Sequence, residues 1–241
     1  MMGWRARIGF LVPPGNPTVE PEMMELAPQG VSVHFTRMSA SGPAGTHDGQ
    51  EERNRSQIAS LDDGTRLLAM ISPQVIVMAH TATSYTLGRE PEAELVRRQE
   101  ALSCTRFITA FGSVLEALTR LGVSKVAYAT PYGADMTQQG ADHLTLHGLN
   151  VVGVARLENV RNIYEENTER AYAVGRAADR PEAEAVFLSG VGMPTLAALQ
   201  MLEDDLGKPV ISAASAMMWN ALRIAGVRSP RPGYGRLLAM V

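Results

Sequence analysis

His80 closes the apolar run at residues 75–79 and opens a string of small hydroxyl residues, Thr81, Thr83 and Ser84. A short apolar run bounded by turn-forming residues reads as a buried strand, so the spacing predicts an imidazole held at the carboxyl end of a strand. An imidazole in that place titrates near neutrality and can carry a proton to or from a bound carbon acid. The competing reading is a structural histidine satisfied by its neighbours. His143 and His147 stand four apart in "HLTLH", which puts both rings on one helix face, where they could serve a metal. With no third ligand visible beside them, the pair reads as a solvated helix face, and no metal is expected. Cys104 is the single cysteine, which excludes an intramolecular disulfide and a cysteine-based structural zinc site. The glycine-rich stretch "SGPAGTHDGQ" at 41–50 is not a phosphate-binding loop. No nucleotide fingerprint occurs, and no cofactor is expected.

Holding His80 in such a place requires a sheet. Apolar runs bounded by turn residues alternate with segments of helical spacing, the pattern of a parallel sheet. Strands are predicted at 7–12, 31–38, 75–79, 125–130, 150–157, 185–189 and 209–213, and helical patterns at 50–71, 107–122, 137–148, 162–179 and 195–207. The order repeats. "RIGFLVPPG" at 7–15 is echoed by "KVAYATPYG" at 125–133, "VIVMAHTAT" at 75–83 by "VFLSGVGMP" at 186–194, and "ALTRLGV" at 117–123 by "ALRIAGV" at 221–227. Three echoes in one order predict an α/β fold of two pseudo-symmetric, doubly wound parallel four-stranded sheets, flavodoxin-like, with a cleft between them. The expected partition is 1–117 plus 214–241 for the N-terminal lobe and 118–213 for the C-terminal lobe.

Ligands bind beyond the carboxyl ends of parallel strands. The loops there are "PPGNPT" with Pro13 and Asn16, "HTATS" with His80, Thr81, Ala82 and Thr83, "TPYGAD" with Tyr132, and "SGVGMPT" with Gly190, Val191 and Gly192. His80 and Gly190 then occupy matching places on opposite walls. Converging amides and hydroxyls at strand ends form a nest for a carboxylate or an enediolate. Met23, Met193 and the 41–50 loop are expected to shape the pocket. Met217, Met218 and Trp219 read as either core or interface, which leaves a homo-oligomer open.

A formal net charge of −3 and scattered basic residues leave no footprint for nucleic acid or an anionic membrane. The apolar run before Pro13 is five residues, too short for a signal peptide, so a cytoplasmic protein is expected.

Those loops carry a resemblance. "RIGFLVPPGNPTVEPE", "SCTRFITAFGSVLEALTRLGVSKVAYATPYGAD" and "GKPVISAASAMMWNALRIAGVRSPRPGYGRLL" are similar to segments of the aspartate/glutamate racemase superfamily, in the branch of maleate cis-trans isomerases and arylmalonate decarboxylase. The resemblance runs over nearly the whole chain. It implies a pair of cysteines facing each other across the cleft, of which the decarboxylase keeps the second as proton donor. Here the two places read His80 and Gly190, and Cys104 matches a helix start elsewhere, so both thiols are missing. The resemblance further implies carboxylate binding by Asn16 and Tyr132, an oxyanion pocket walled by Thr81, Ala82 and Thr83 on one side and Val191 and Gly192 on the other, and a contribution from Asn162. It makes the 41–50 stretch a loop covering the cleft.

A two-base racemase needs acid and base on opposite faces, and Gly190 supplies neither. Imidazole is a poor stand-in for a thiolate that must add and leave. The expected function is therefore a cofactor-independent decarboxylase of a small malonate-like dicarboxylic acid. One carboxylate lies in the nest, the other against apolar walls, and His80 protonates the enediolate. The alternatives are isomerase or racemase activity of the family type, a cyclic-amide hydrolase with His80 as general base, and a binding protein without turnover.

Overall fold

The computed structural model describes residues 3–240; residues 1, 2 and 241, which bound the expected partition, lie outside the described residues. In chain order the first half runs β1 (Ala6–Val12), α1 (Val19–Leu26), β2 (Val31–Arg37), α2 (Gln50–Ala59), α3 (Leu61–Ala69), β3 (Val75–Met78), α4 (Thr81–Leu87), α5 (Arg89–Ser103) and β4 (Arg106–Thr109). Helix α6 (Ala110–Leu121) leads to the second half: β5 (Lys125–Thr130), α7 (Ala134–Leu146), β6 (Asn150–Arg156), a 3-10 turn (Ile163–Glu165), α8 (Thr168–Ala178), β7 (Ala185–Leu188), α9 (Leu196–Leu206) and β8 (Val210–Ser212). Helices α10 (Ala213–Ile224) and α11 (Gly235–Ala239) close the chain.

The two parallel sheets have the orders β2-β1-β3-β4 and β6-β5-β7-β8, so the predicted duplication is present strand for strand. In each, the chain steps outward from the first strand to the second and then returns to the first strand's other side. The switch points lie between β1 and β3 and between β5 and β7, where a crevice opens at the carboxyl ends. Strand β3 has all four residues buried between β1 and β4, which is why "VIVM" shows no alternation.

Three sequence expectations need correction. Residues 107–109 belong to strand β4, not to a helix starting at Phe107: the run "FITAF" is apolar at both the strand and the helix period. The change comes at Thr109, whose hydroxyl accepts from the Gly112 amide at 2.8 Å and caps α6. The pattern at 50–71 is two helices broken at Ser60. That at 162–179 begins as a 3-10 turn and restarts at Asn167, whose side chain caps α8.

The halves are joined by packing and by buried polar bonds. Helices α6 and α10 lie against one another. Met217, Met218 and Trp219 are buried in α10, on the core side of the alternative left open by the sequence. Asn16 Nδ2 donates to the Val191 carbonyl at 3.0 Å, and Thr18 Oγ1 donates to the Gly192 carbonyl at 2.9 Å. From α1, Glu22 Oε1 accepts the Thr195 and Leu196 amides at 2.7 and 3.1 Å, capping α9 of the other half. Among the described residues no helix is long and apolar enough to cross a membrane.

Candidate active site

Strand β3 delivers His80 to the cleft. The residue stays extended (φ −157°, ψ 111°) and the chain turns into α4 immediately after it. The ring is 7% exposed and its Nδ1 lies 2.6 Å from Thr83 Oγ1. That contact leaves Nε2 as the atom available to a ligand. Burial, followed by the nearby positive charge of Arg53, holds its pKa down to about 4. The expectation of titration near neutrality is thus overturned: the ring is neutral at physiological pH, because charging it would cost solvation that the site does not return. The direction of the Thr83 bond sets its role. If the hydroxyl donates to Nδ1, Nε2 carries a proton to give; if Nδ1–H donates, Nε2 is a bare base.

The cavity that His80 borders is bounded by Asn16, Tyr132, Val191 and Gly192 among the expected residues. Its free volume is about 30 Å³, and Gly45, Thr46 and Gln50 of the covering loop border it. That loop closes the cleft as expected of 41–50. The Gly45 carbonyl accepts the Ile163 amide at 2.8 Å, and His47 Nε2 lies 2.9 Å from the Pro131 carbonyl. Gly45 has φ +78°, and a Cβ there would fall 1.8 Å from Asn162 Oδ1, so no side chain fits where the loop crosses.

Tyr132 Oη lies 3.0 Å from Thr81 Oγ1 and faces the Ala82 amide. The amides of Thr81, Ala82 and Thr83 start α4 and so lack intrahelical partners. Burial raises the phenol's pKa, keeping Tyr132 a neutral donor. Thr81, Ala82, Thr83 and Gly190, expected as pocket walls, are buried and do not line the cavity. Gly190 has φ +89°, and a Cβ there would meet Pro131 Cγ at 3.0 Å.

Several expected contributors are committed elsewhere. Asn16 is fully buried, and its Oδ1 accepts the Thr18 and Val19 amides at 2.8 and 2.9 Å. With one Nδ2 hydrogen on Val191, only one donor remains for a carboxylate. Pro13 is not on the cavity wall; its carbonyl accepts from Arg37 at 3.2 Å. Asn162 spends Oδ1 on the Tyr164 amide at 2.9 Å, capping the 3-10 turn. Met23 and Met193 are buried in the core and do not line the cavity. Cys104 is exposed at the end of α5, in the left-handed region at φ 50°, rather than at a helix start.

Helix α2 contributes what the sequence reading missed. Arg53, Asn54 and Gln57, its buried residues, line the cavity together with Ile163 and Tyr164. The expected apolar wall is confined to Ile163, Val191 and the Tyr164 ring; the α2 side is polar. The signal was present in "QEERNRSQIA", a helix with no apolar stripe, which has to bury polar groups if it packs at all.

His143 and His147 are also not a solvated face. His143 is buried against Phe111, with ring centroids 4.5 Å apart, and its Nε2 lies 3.5 Å from Glu92 Oε2. Glu92 supplies the missing third group, and ligand atoms of the three residues lie within 4.8 Å of one another, close enough to hold a divalent ion. Glu92 already accepts the Ser84 and Thr109 hydroxyls, each at 2.6 Å. Burial opposes its ionisation, but His143 and these two hydroxyls outweigh that and lower its pKa.

The arylmalonate decarboxylase family profile matches residues 8–238. The arylmalonate decarboxylase of Bordetella bronchiseptica is 30% identical over 239 residues, covering 95% of each chain. The maleate isomerase of Geobacillus stearothermophilus is 27% identical over 246 residues, covering 97% of each. Among solved structures, an arylmalonate decarboxylase superposes with a TM-score of 0.81 at 27% identity, over 98% of this chain and 100% of that one. The Nocardia farcinica maleate isomerase carrying a covalently bound succinylcysteine intermediate gives 0.87 at 26% identity, over 98% and 99%.

Proposed function

The chain belongs to the arylmalonate decarboxylase family, and within it we propose a cofactor-independent lyase that decarboxylates a small malonate-like acid through an enediolate protonated by His80. One observation supports this choice: His80 borders the cavity, no cysteine lines it, and the matching strand end of the other sheet carries Gly190, which has no side chain to move a proton. One-sided proton transfer suits loss of CO₂ followed by protonation, and does not suit two-base racemisation. The succinylcysteine seen in the Nocardia farcinica relative has no counterpart here, since Cys104 is exposed and away from the cavity.

In this reading the retained carboxylate lies against Tyr132 and the free Asn16 hydrogen. The departing carboxylate faces Ile163, Val191 and the Tyr164 ring, where poor solvation favours the neutral product. The C–C bond breaks, its electron pair enters the enediolate, and His80, protonated from solvent in the substrate complex, gives its Nε2 proton to the carbon and returns to the neutral ring. A bound dianion beside the imidazole opposes the field of Arg53 and raises its proton affinity.

The test is turnover of substituted malonates in D₂O followed by NMR. The expected result is CO₂ with one deuterium placed on a single face, and a His80→Gln variant slower by about 10²–10⁴-fold. No CO₂ from any malonate, at enzyme concentrations comparable to substrate, refutes the proposal. A second reading, isomerisation of an unsaturated dicarboxylate by proton transfer, is favoured by the polar α2 side, which would hold a second carboxylate rather than expel it. Deuterium uptake without CO₂ would select it.

A further inference from the structure

The cavity has an end on α2 that the proton chemistry leaves unused. Arg53 is 6% exposed and borders the same cavity as His80. Its guanidinium donates to the backbone carbonyls of Thr46 and Asp48, and among the described residues no carboxylate pairs with it. Asp48, exposed and beyond ion-pair distance, acts on it only at longer range, and two neutral carbonyls do not balance the rest of its charge. Beside it, Asn54 Nδ2 donates to the Ala82 carbonyl at 3.2 Å and to Thr86 Oγ1 at 2.9 Å. A backbone carbonyl only accepts, so the amide's orientation is fixed and Oδ1 is the atom left buried without a donor. Gln57 Oε1, one turn further on, is likewise without one. Buried polar atoms in folded proteins are almost always answered. This end of the cavity lacks a negative charge and a hydrogen-bond donor.

We propose that Arg53 and Asn54 form the site for the substituent on the reacting carbon, and that this substituent is an acid on a short arm with an N–H or O–H beside it, not an aryl ring. The proposal rests on the enediolate reading only for which part of the substrate faces His80. Arg53 supplies the counter-charge, and Asn54 Oδ1 accepts from the neighbouring donor. The two together discriminate against apolar substituents, which would leave both groups unanswered.

Titration calorimetry with three probes tests this: carboxymethylmalonate, its uncharged isostere isobutylmalonate, and phenylmalonate. Wild-type protein should bind carboxymethylmalonate at least about tenfold more tightly than either of the others. Arg53→Gln should cost carboxymethylmalonate at least about tenfold more affinity than it costs isobutylmalonate, and Arg53→Lys should keep part of the ratio. Tyr132→Phe should weaken all three alike. If Arg53 only props the loop through Thr46 and Asp48, Arg53→Gln weakens every probe equally, and the proposal falls. It also falls if the wild type prefers isobutylmalonate or phenylmalonate, or does not bind carboxymethylmalonate; these outcomes stand even if Arg53→Gln fails to fold. The site is read from affinity ratios and the lyase from CO₂ release, so the two proposals separate. Charge-selective binding with no CO₂ from any probe removes the lyase and keeps this site. CO₂ released from the probes with no preference for carboxymethylmalonate over phenylmalonate does the reverse.

Discussion

Protonating His80 should destabilise the folded protein. The folded ring has a pKa of about 4 against an ordinary 6.5, a difference worth about 3 kcal/mol. Between those pH values the unfolded chain binds a proton that the folded chain refuses, so stability falls as pH drops from 6.5 towards 4 and is unaffected above 6.5. By pH 5 the loss from this one residue is about 2 kcal/mol. Urea unfolding of the wild type and of His80→Gln at pH 7.5, 6 and 5 isolates it, because the other four histidines are common to both proteins. The wild type should lose about 2 kcal/mol more than the variant by pH 5. The His80 Cε1–H resonance should stay at its neutral position down to pH 5. A ring titrating at 6 or above, or parallel stability curves for the two proteins, would refute the assignment of a desolvated neutral imidazole.

Restoring a thiol opposite His80 should not restore family chemistry. Gly190→Cys places a side chain at φ +89° against Pro131, costing about 1–3 kcal/mol; a lowered Tm in thermal melts and no racemisation by chiral chromatography are expected. Glu22 is pushed up to about 7 by burial, against the Thr195 and Leu196 amides that lower it. Its contribution is therefore fully present below pH 4.5 and lost as pH rises through 7. Glu22→Gln should flatten that decline in urea titrations between pH 5 and 8, by at most about 3 kcal/mol. Because Glu92 is already answered by His143, Ser84 and Thr109, exhaustive chelation should leave both CO₂ release and Tm unchanged; a fall in either would mean that Glu92, His143 and His147 hold an ion.

The sequence by itself determined the duplicated architecture, because "VIVMA" and "AVFLS" are apolar without alternation and their loops echo one another in order. It also placed His80 and Gly190 at matching strand ends, since two similar sheets put similar positions on opposite walls. It did not separate β4 from α6, because "FITAF" is apolar at both periods and only the Thr109 cap decides between them. Nor did it reveal that Asn16 and Asn162 spend their oxygens on helix caps, or that Glu92 comes from α5 to meet His143. The charge state of His80 and the polar end built by Arg53 and Asn54 were decided by tertiary structure alone. A pKa depends on the water removed and the charges gathered around a ring, and α2 brings Arg53 to His80 from twenty-seven residues away.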